Sequence, residues 1–274
     1  MTDLATATVP ATAERAGRPH RRTLAAVGWP LLGLAVAIGL WWAGTVLFAV
    51  NTVVLPGPPA VIDGFNRYRE FLLEETWHTT TATVEGFLLS VGIGVLLGVA
   101  IAAWGPFERM FSPLLVAFNA VPKVALAPLV LVWFGYGRTP ILAMAFMVCF
   151  FPIVLSTATG LTSTPADLAE LARSMDASRL QTFARVRLPA ALPQIFVGLK
   201  VAMPLAVIGV VVGEMQYGES GLGTIIVQTS GQGDTATAFA AITLLALISI
   251  LLYYVLVLIE WLALPWVRAT TSQR

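Results

Sequence analysis

Charge is what this chain most lacks. Of its 274 residues, 11% are Asp, Glu, Lys or Arg and 57% are apolar. Soluble domains carry about 25% charged and about 45–50% apolar residues. A water-facing surface needs about 25–35% charged residues, so this composition cannot clothe a soluble globule. Disorder is excluded as well, because it requires low hydropathy and high charge. Sixteen basic against fifteen acidic residues leave a formal net charge of +1, with no basic patch for nucleic acid. Lipid is the solvent that fits.

Other shortages narrow the chemistry. The single cysteine, Cys149, lies in the apolar run AFMVCFFPIV, which excludes a disulfide framework and a cysteine metal cluster. It reads as a small buried apolar side chain. The two histidines, His20 and His78, are far apart and flank apolar segments, so neither is placed as a metal ligand or a triad member. No G-x-x-x-x-G-K-[ST] run occurs, so the chain has no loop to cradle nucleotide phosphates. No catalytic residues, metal or bound cofactor are expected.

What the chain has in quantity is long apolar runs. A helix needs about 20 mostly apolar residues to cross a bilayer. Charge-free runs cover 24–50, 86–107, 139–166 and 235–259, and interrupted ones cover 110–136 and 189–212. The count is about six spans in an all-α polytopic protein. Pro122 and Lys123 should break the third span, and Lys200 and Pro204 should bend the fifth. Residues 1–22, ending in Arg15, Arg18, Arg21 and Arg22, read as a disordered arm before a domain over 23–267 and a tail over 268–274. The first run is too long for a signal peptide. Arg173, Arg179, Arg185 and Arg187 crowd one connection, while Asp63, Glu70, Glu74 and Glu75, then Glu214, Glu219 and Asp234, occupy opposite ones. The positive-inside rule then puts both termini in the cytoplasm.

Within the spans two patterns matter. Gly86, Ser90, Gly94, Gly98 and Ala102 recur every four residues, a smooth stripe for close helix packing. Ionisable residues in or beside spans are costly and usually face a cavity or a partner. Asn119, Pro122 and Lys123 are candidate pathway residues, although Lys123 could equally snorkel or pair with a carboxylate. Glu214, with Gly221 and Gly223 beyond it, is a candidate outer gate or partner contact. The stretch 222–229 fits a short non-spanning helix, or else a plain external loop. Glu85 and Glu260 read as interfacial.

The connection 163–188 is long and itself helical in pattern. Thr164-Pro165-Ala166-Asp167 is a helix-start signature, Asp176-Ala177-Ser178 can cap a second short helix, and Leu188-Pro189 should end it. Periodicity alone fits a docking knob for a cytoplasmic partner and an interfacial helix on lipid. Glu170-Leu171-Ala172, then Asp176, then Val186-x-Leu188-Pro189, resembles the EAA loop of ABC importer permeases: E-A-A, three residues, G, nine residues, I-x-L-P. Leu171 replaces the middle Ala, and Asp176 replaces the Gly, a role Asp fills tolerably in a left-handed or capping position. LPGP at 55–58, VPKVALAPLVLVWFGYG at 121–137, CFFPIVLSTATGL at 149–161, LPAALPQIFVGLK at 188–200 and Gly213-Glu214…Gly221-Leu222-Gly223 are similar to the nitrate/sulfonate/taurine class of these permeases.

That resemblance implies a type I importer permease fold (MetI-like) in a prokaryotic inner membrane. It implies a second permease copy, two ATPase subunits that carry ATP and Mg²⁺, and an extracytoplasmic binding protein. Glu170 becomes the leading coupling residue. The substrate implied is a small anion of the sulfonate, taurine or nitrate type, with a thiamine-pyrimidine precursor or riboflavin-like heterocycle as the alternative. The run from Asp234-Thr235 to Phe239-Ala240-Ala241-Ile242 leans toward the heterocycles. A secondary transporter, the rival class, should show charged relays and an internal repeat, and neither is evident.

Overall fold

The computed structural model describes residues 19–103, 105–163, 170 and 174–267. Leu171 and Ala172, the tail 268–274 and the start of the arm lie outside the described residues. The chain forms two compact units, residues 1–51 and 52–274. The first contains α1 (Pro19–Leu47). It starts at Pro19, within the stretch read as arm, because Pro is preorganised for the first helical turn. Its residues 28–47 form an apolar span, and nearly all its side chains are exposed.

The second unit contains only helices and the turns between them among its described residues. It runs α2 (Pro58–Arg67), α3 (Arg69–Ala103), α4 (Gly105–Ala120), a 3₁₀ turn (Lys123–Leu126), α5 (Ala127–Phe134) and α6 (Arg138–Thr162). After the connection come α7 (Arg179–Thr182), a π turn (Phe183–Arg187), α8 (Leu188–Tyr217), α9 (Leu222–Gly231) and α10 (Thr235–Ala263). Among the described residues five helices are long and apolar enough to cross a membrane, or six if α4 and α5 form one span. That pair bends by 80° at residues 121–122. The break expected at Pro122 is present, because proline excludes the helical conformation from the residue before it.

The fifth span corrects the sequence reading once, at Leu188-Pro189. It is one unbroken helix through Pro204, and it does not stop at Leu188-Pro189. Proline 189 cannot donate to the Arg185 carbonyl, and its ring would crowd that group. The π turn absorbs the conflict, with the Leu188 N–H donating to Phe183 O instead. Helical backbone therefore continues from residue 179 to 217.

The second correction concerns α3. It has 35 residues, about 52 Å at 1.5 Å per residue, where the apolar window began only at Gly86. Its first four turns extend past that window and carry Glu70, Glu74, Glu75 and His78 as helix, not loop.

The core is built by small residues. A Cβ on Gly86 would lie 2.6 Å from Ala145 Cβ, on Gly94 3.0 Å from Ile153 Cγ2, and on Gly98 2.6 Å from Thr157 Cβ. Between them, Cys149 Sγ donates to Ser90 Oγ at 3.1 Å. Four residues of α3 thus meet four of α6, both in steps of four. Ala102 is half-buried, and Ile101 takes the buried place at the stripe's end. The other side of α6 is met by α8, where a Cβ on Gly209 would lie 2.6 Å from Ala145 Cα, and one on Gly213 2.8 Å from Ile141 Cα. Large apolar side chains point outward instead, among them Leu88, Leu96, Leu251 and Leu262.

Gly209→Val should therefore fail to pack, because its contacts are backbone atoms that cannot move aside. Overpacking costs about 1–3 kcal/mol, so the melting temperature in detergent should fall by several degrees. Gly92→Ala faces open space and should leave it unchanged or raise it. Equal melting of both variants would contradict this packing.

Candidate functional site

The regions predicted from sequence to carry function sit apart in the fold. At the end of α8, Glu214 is 3% exposed, which is more buried than a gate facing water. Its Oε1 accepts from Thr79 Oγ1 at 2.8 Å, and its Oε2 accepts from the Gly223 N–H at 2.8 Å. Thr79 Oγ1 in turn accepts from the Leu222 N–H at 2.9 Å. Glu75, also buried, accepts from the Gly221 N–H. Three consecutive backbone donors at the start of α9 are thus held by side chains of α3 and α8. A helix start leaves such donors orphaned and carries partial positive charge, which offsets part of the cost of burying two carboxylates.

Gly221 makes this possible. Its φ is +102°, and a Cβ there would lie 2.2 Å from Glu214 Cδ. Helix α9 itself, with ten residues, is too short to span. It matches the short helix expected over 222–229.

Sequence reasoning missed Glu75 and Thr79. The signal was available: the buried face of α3 continues backward from Gly86 through Ala82 and Thr79 to Glu75 at helical spacing. It also missed the partners of two other charges. Glu260, read as interfacial, accepts from Lys200 Nζ at 2.7 Å, with the side chains 23% and 22% exposed. Glu85 is paired with Arg138 at 2.7 Å on a more open surface.

At the bend between α4 and α5, Lys123 Nζ donates to Asn119 Oδ1 at 2.9 Å and Asn119 O at 3.3 Å. It also lies 5.2 Å from the centre of the Phe151 ring. Among the described residues, Lys123 pairs with no carboxylate. Its charge satisfies carbonyl oxygens exposed by the broken helix, as broken spans in transporters allow. Next to it lies a cavity of ≈ 290 Å³ between α4, α6 and α8. Among the described residues, no group of three or more His, Cys, Asp and Glu is placed to hold a metal ion.

In the connection 163–188, Glu170 is exposed and helical. Asp176 adopts φ +55°, the left-handed conformation in which it can stand in for the motif glycine. Ser178 caps α7: the Gln181 N–H donates to Ser178 Oγ at 3.2 Å, and the Ser178 N–H donates to Gln181 Oε1 at 2.8 Å. This reciprocal capping box starts the second helix where the sequence suggested. Val186 and Leu188 are half-buried, in the π turn and the first turn of α8, and Pro189 follows directly.

The described residues form a helical membrane domain with an exposed, capped turn between two spans. Residues 90–268 match the family described as "Binding-protein-dependent transport system inner membrane component", and the chain belongs to it. It is a multi-pass ABC importer permease. The riboflavin transport system permease RibX of Chloroflexus aurantiacus is 37% identical over 90% of this chain and 95% of its own length. The formylaminopyrimidine transport permease ThiX of Halalkalibacterium halodurans is 36% identical over 78% and 86%. The putative aliphatic sulfonates permease SsuC of Bacillus subtilis is 31% identical over 87% and 88%. In fold, the chain is similar to the inward-facing MetNI methionine ABC transporter, with a TM-score of 0.58 and 23% identity over 74% of this chain and 97% of that one.

Two substitutions test the buried polar contacts. Gly221→Ala forces a strained φ and a collision with Glu214, and such strain costs about 1–3 kcal/mol. Lys200→Met strands Glu260, for which removing one partner of a buried pair costs about 3 kcal/mol. Lys200→Met/Glu260→Leu should recover most of that loss. Thermal unfolding of the three variants in detergent checks both, and a double variant no better than the single would contradict the pairing.

Proposed function

We propose that two copies of this chain form a translocation pathway that opens alternately to each side of the membrane. ATP hydrolysed on two partner subunits would drive it, and an external binding protein would deliver the substrate. Both termini and the connection 163–188 face the cytoplasm on the arginine distribution. The observation that carries the mechanism is the unbroken helix from residue 180 to 217. At 38 residues it is a lever about 57 Å long. The connection that carries the exposed Glu170 leads into one end at the capping Ser178. The other ends at Glu214, which holds α9.

A push by the ATPase on residues 170–187 is transmitted along α8, because a packed helix moves as a unit and not by continuous deformation. Its close seams with α6 and, through Glu214 and Thr79, with α3 carry these helices with it. The bend at 121–122 lies outside those seams and supplies a hinge. Glu170 pairs with a basic or amide group of the ATPase.

For the substrate, the relatives named for riboflavin and for formylaminopyrimidine are 37% and 36% identical to this chain. A neutral nitrogen heterocycle is the first reading. The half-buried Lys123 and the sulfonate relative support a small anion as the second.

Glu170→Ala should reduce uptake at least tenfold while leaving the chain in the membrane, by weakening ATPase capture or uncoupling hydrolysis. Uptake of labelled formylaminopyrimidine, riboflavin and taurine by the complex, with and without ATP, checks function and substrate together. ATP-independent uptake, or full uptake by the variant, would overturn the coupling assignment.

A further inference from the structure

The cavity beside the bend carries more than its position. Its walls are Asn119 and Leu115 of α4, Phe151, Pro152, Leu155 and Ser156 of α6, and Val201 of α8. None of these described lining residues is charged. At ≈ 290 Å³ it lies at the small end of ligand pockets, which run about 300–1,000 Å³.

Three details define what fits. First, the walls are an aromatic ring, a proline and aliphatic side chains, which suit a flat apolar body. Second, polar groups converge at two points. Asn119 Oδ1 is already taken by Lys123 at 2.9 Å, so its amide NH₂ is the donor left for a ligand. Ser156 adds a hydroxyl that can donate or accept. Third, the neighbouring ammonium is occupied: Lys123 is held by Asn119 and lies over Phe151. An anion inside this cavity would have to shed its water without a cation in the wall, which is costly.

We infer that the cavity bounded by Asn119, Phe151, Ser156 and Val201 is a substrate subsite for a neutral, single-ring nitrogen heterocycle. The ring lies among Phe151, Pro152, Leu155 and Val201, and Asn119 and Ser156 read its polar edge. All three walls belong to moving parts: α4 ends at the bend, α6 is the central helix and α8 is the lever. Shifting α8 against α4 therefore changes the cavity directly, which ties occupancy to the transport cycle. This inference rests on the heterocycle reading given under Proposed function.

The test exploits the single cysteine, which is 0% exposed and so silent toward thiol reagents. Ser156→Cys puts a reactive thiol in the cavity, and Ser230→Cys puts one on the exposed end of α9 as control. Each is placed in the assembled transporter in proteoliposomes and labelled with a small methanethiosulfonate reagent, with and without formylaminopyrimidine. The expected result is at least fivefold slower labelling at 156 with the pyrimidine present, and unchanged labelling at 230. Equal labelling at 156, in a transporter that does import the pyrimidine, would overturn the subsite and leave the function standing. Protection by taurine in place of the pyrimidine would overturn the ligand class. Failure of the unsubstituted transporter to import any heterocycle would overturn the substrate reading on which both rest.

Discussion

Close backbone contact along α6 is the constraint on which this molecule depends. In lipid no hydrophobic force pulls apolar helices together, because the tails are as apolar as leucine. Association has to come from packing and hydrogen bonds at short range. Here α3 and α8 both reach α6 through glycines, and at 86, 98, 209 and 213 a single added methyl would approach its neighbours within 2.6–2.8 Å. The usual arrangement of side chains is inverted as a result. Small and polar residues such as Ser90, Cys149 and Thr157 lie inside, and large ones such as Leu96 and Leu262 lie outside.

That tightness explains where motion is permitted. Helices locked through glycine seams shift as bodies, so flexibility concentrates where seams end. The bend at 121–122 is one such place. The carboxylates at the far end add a second lock. Glu75 and Thr79 from α3 and Glu214 from α8 hold three consecutive amides at the start of α9, so this short helix is tied to both.

Legibility followed the range of the signal. Spans, the small-residue stripe, the break at Pro122 and the short helix after Gly221 were readable, because each rests on composition or spacing within about 25 residues. The Ser178 cap was readable for the same reason. What escaped was long-range or contrary to local rules. Lys200 and Glu260 are 60 positions apart, and nothing local to either indicates the other. The helix passing through Leu188-Pro189 violates a stop signal that is usually sound, and only the wider π turn permits it. Glu75 was lost because the apolar window of span two begins at Gly86, although the buried face of that helix starts earlier.

The same contrast bears on function. Scarce charge assigned the chain to lipid, but most of the charges that remain in the bundle are already committed: Glu85 to Arg138, Glu260 to Lys200, Glu75 and Glu214 to backbone amides, and Lys123 to Asn119. A transporter that recognised its cargo by charge would keep one of these groups unpaired in a cavity. Here the cavity beside the bend is walled by uncharged side chains, and the neighbouring Lys123 is turned to the protein's own carbonyl groups. With the subsite proposed above, recognition in this membrane domain would be a matter of shape and a few neutral hydrogen bonds. Such a site can bind weakly enough to release, which a pathway requires and a storage site does not.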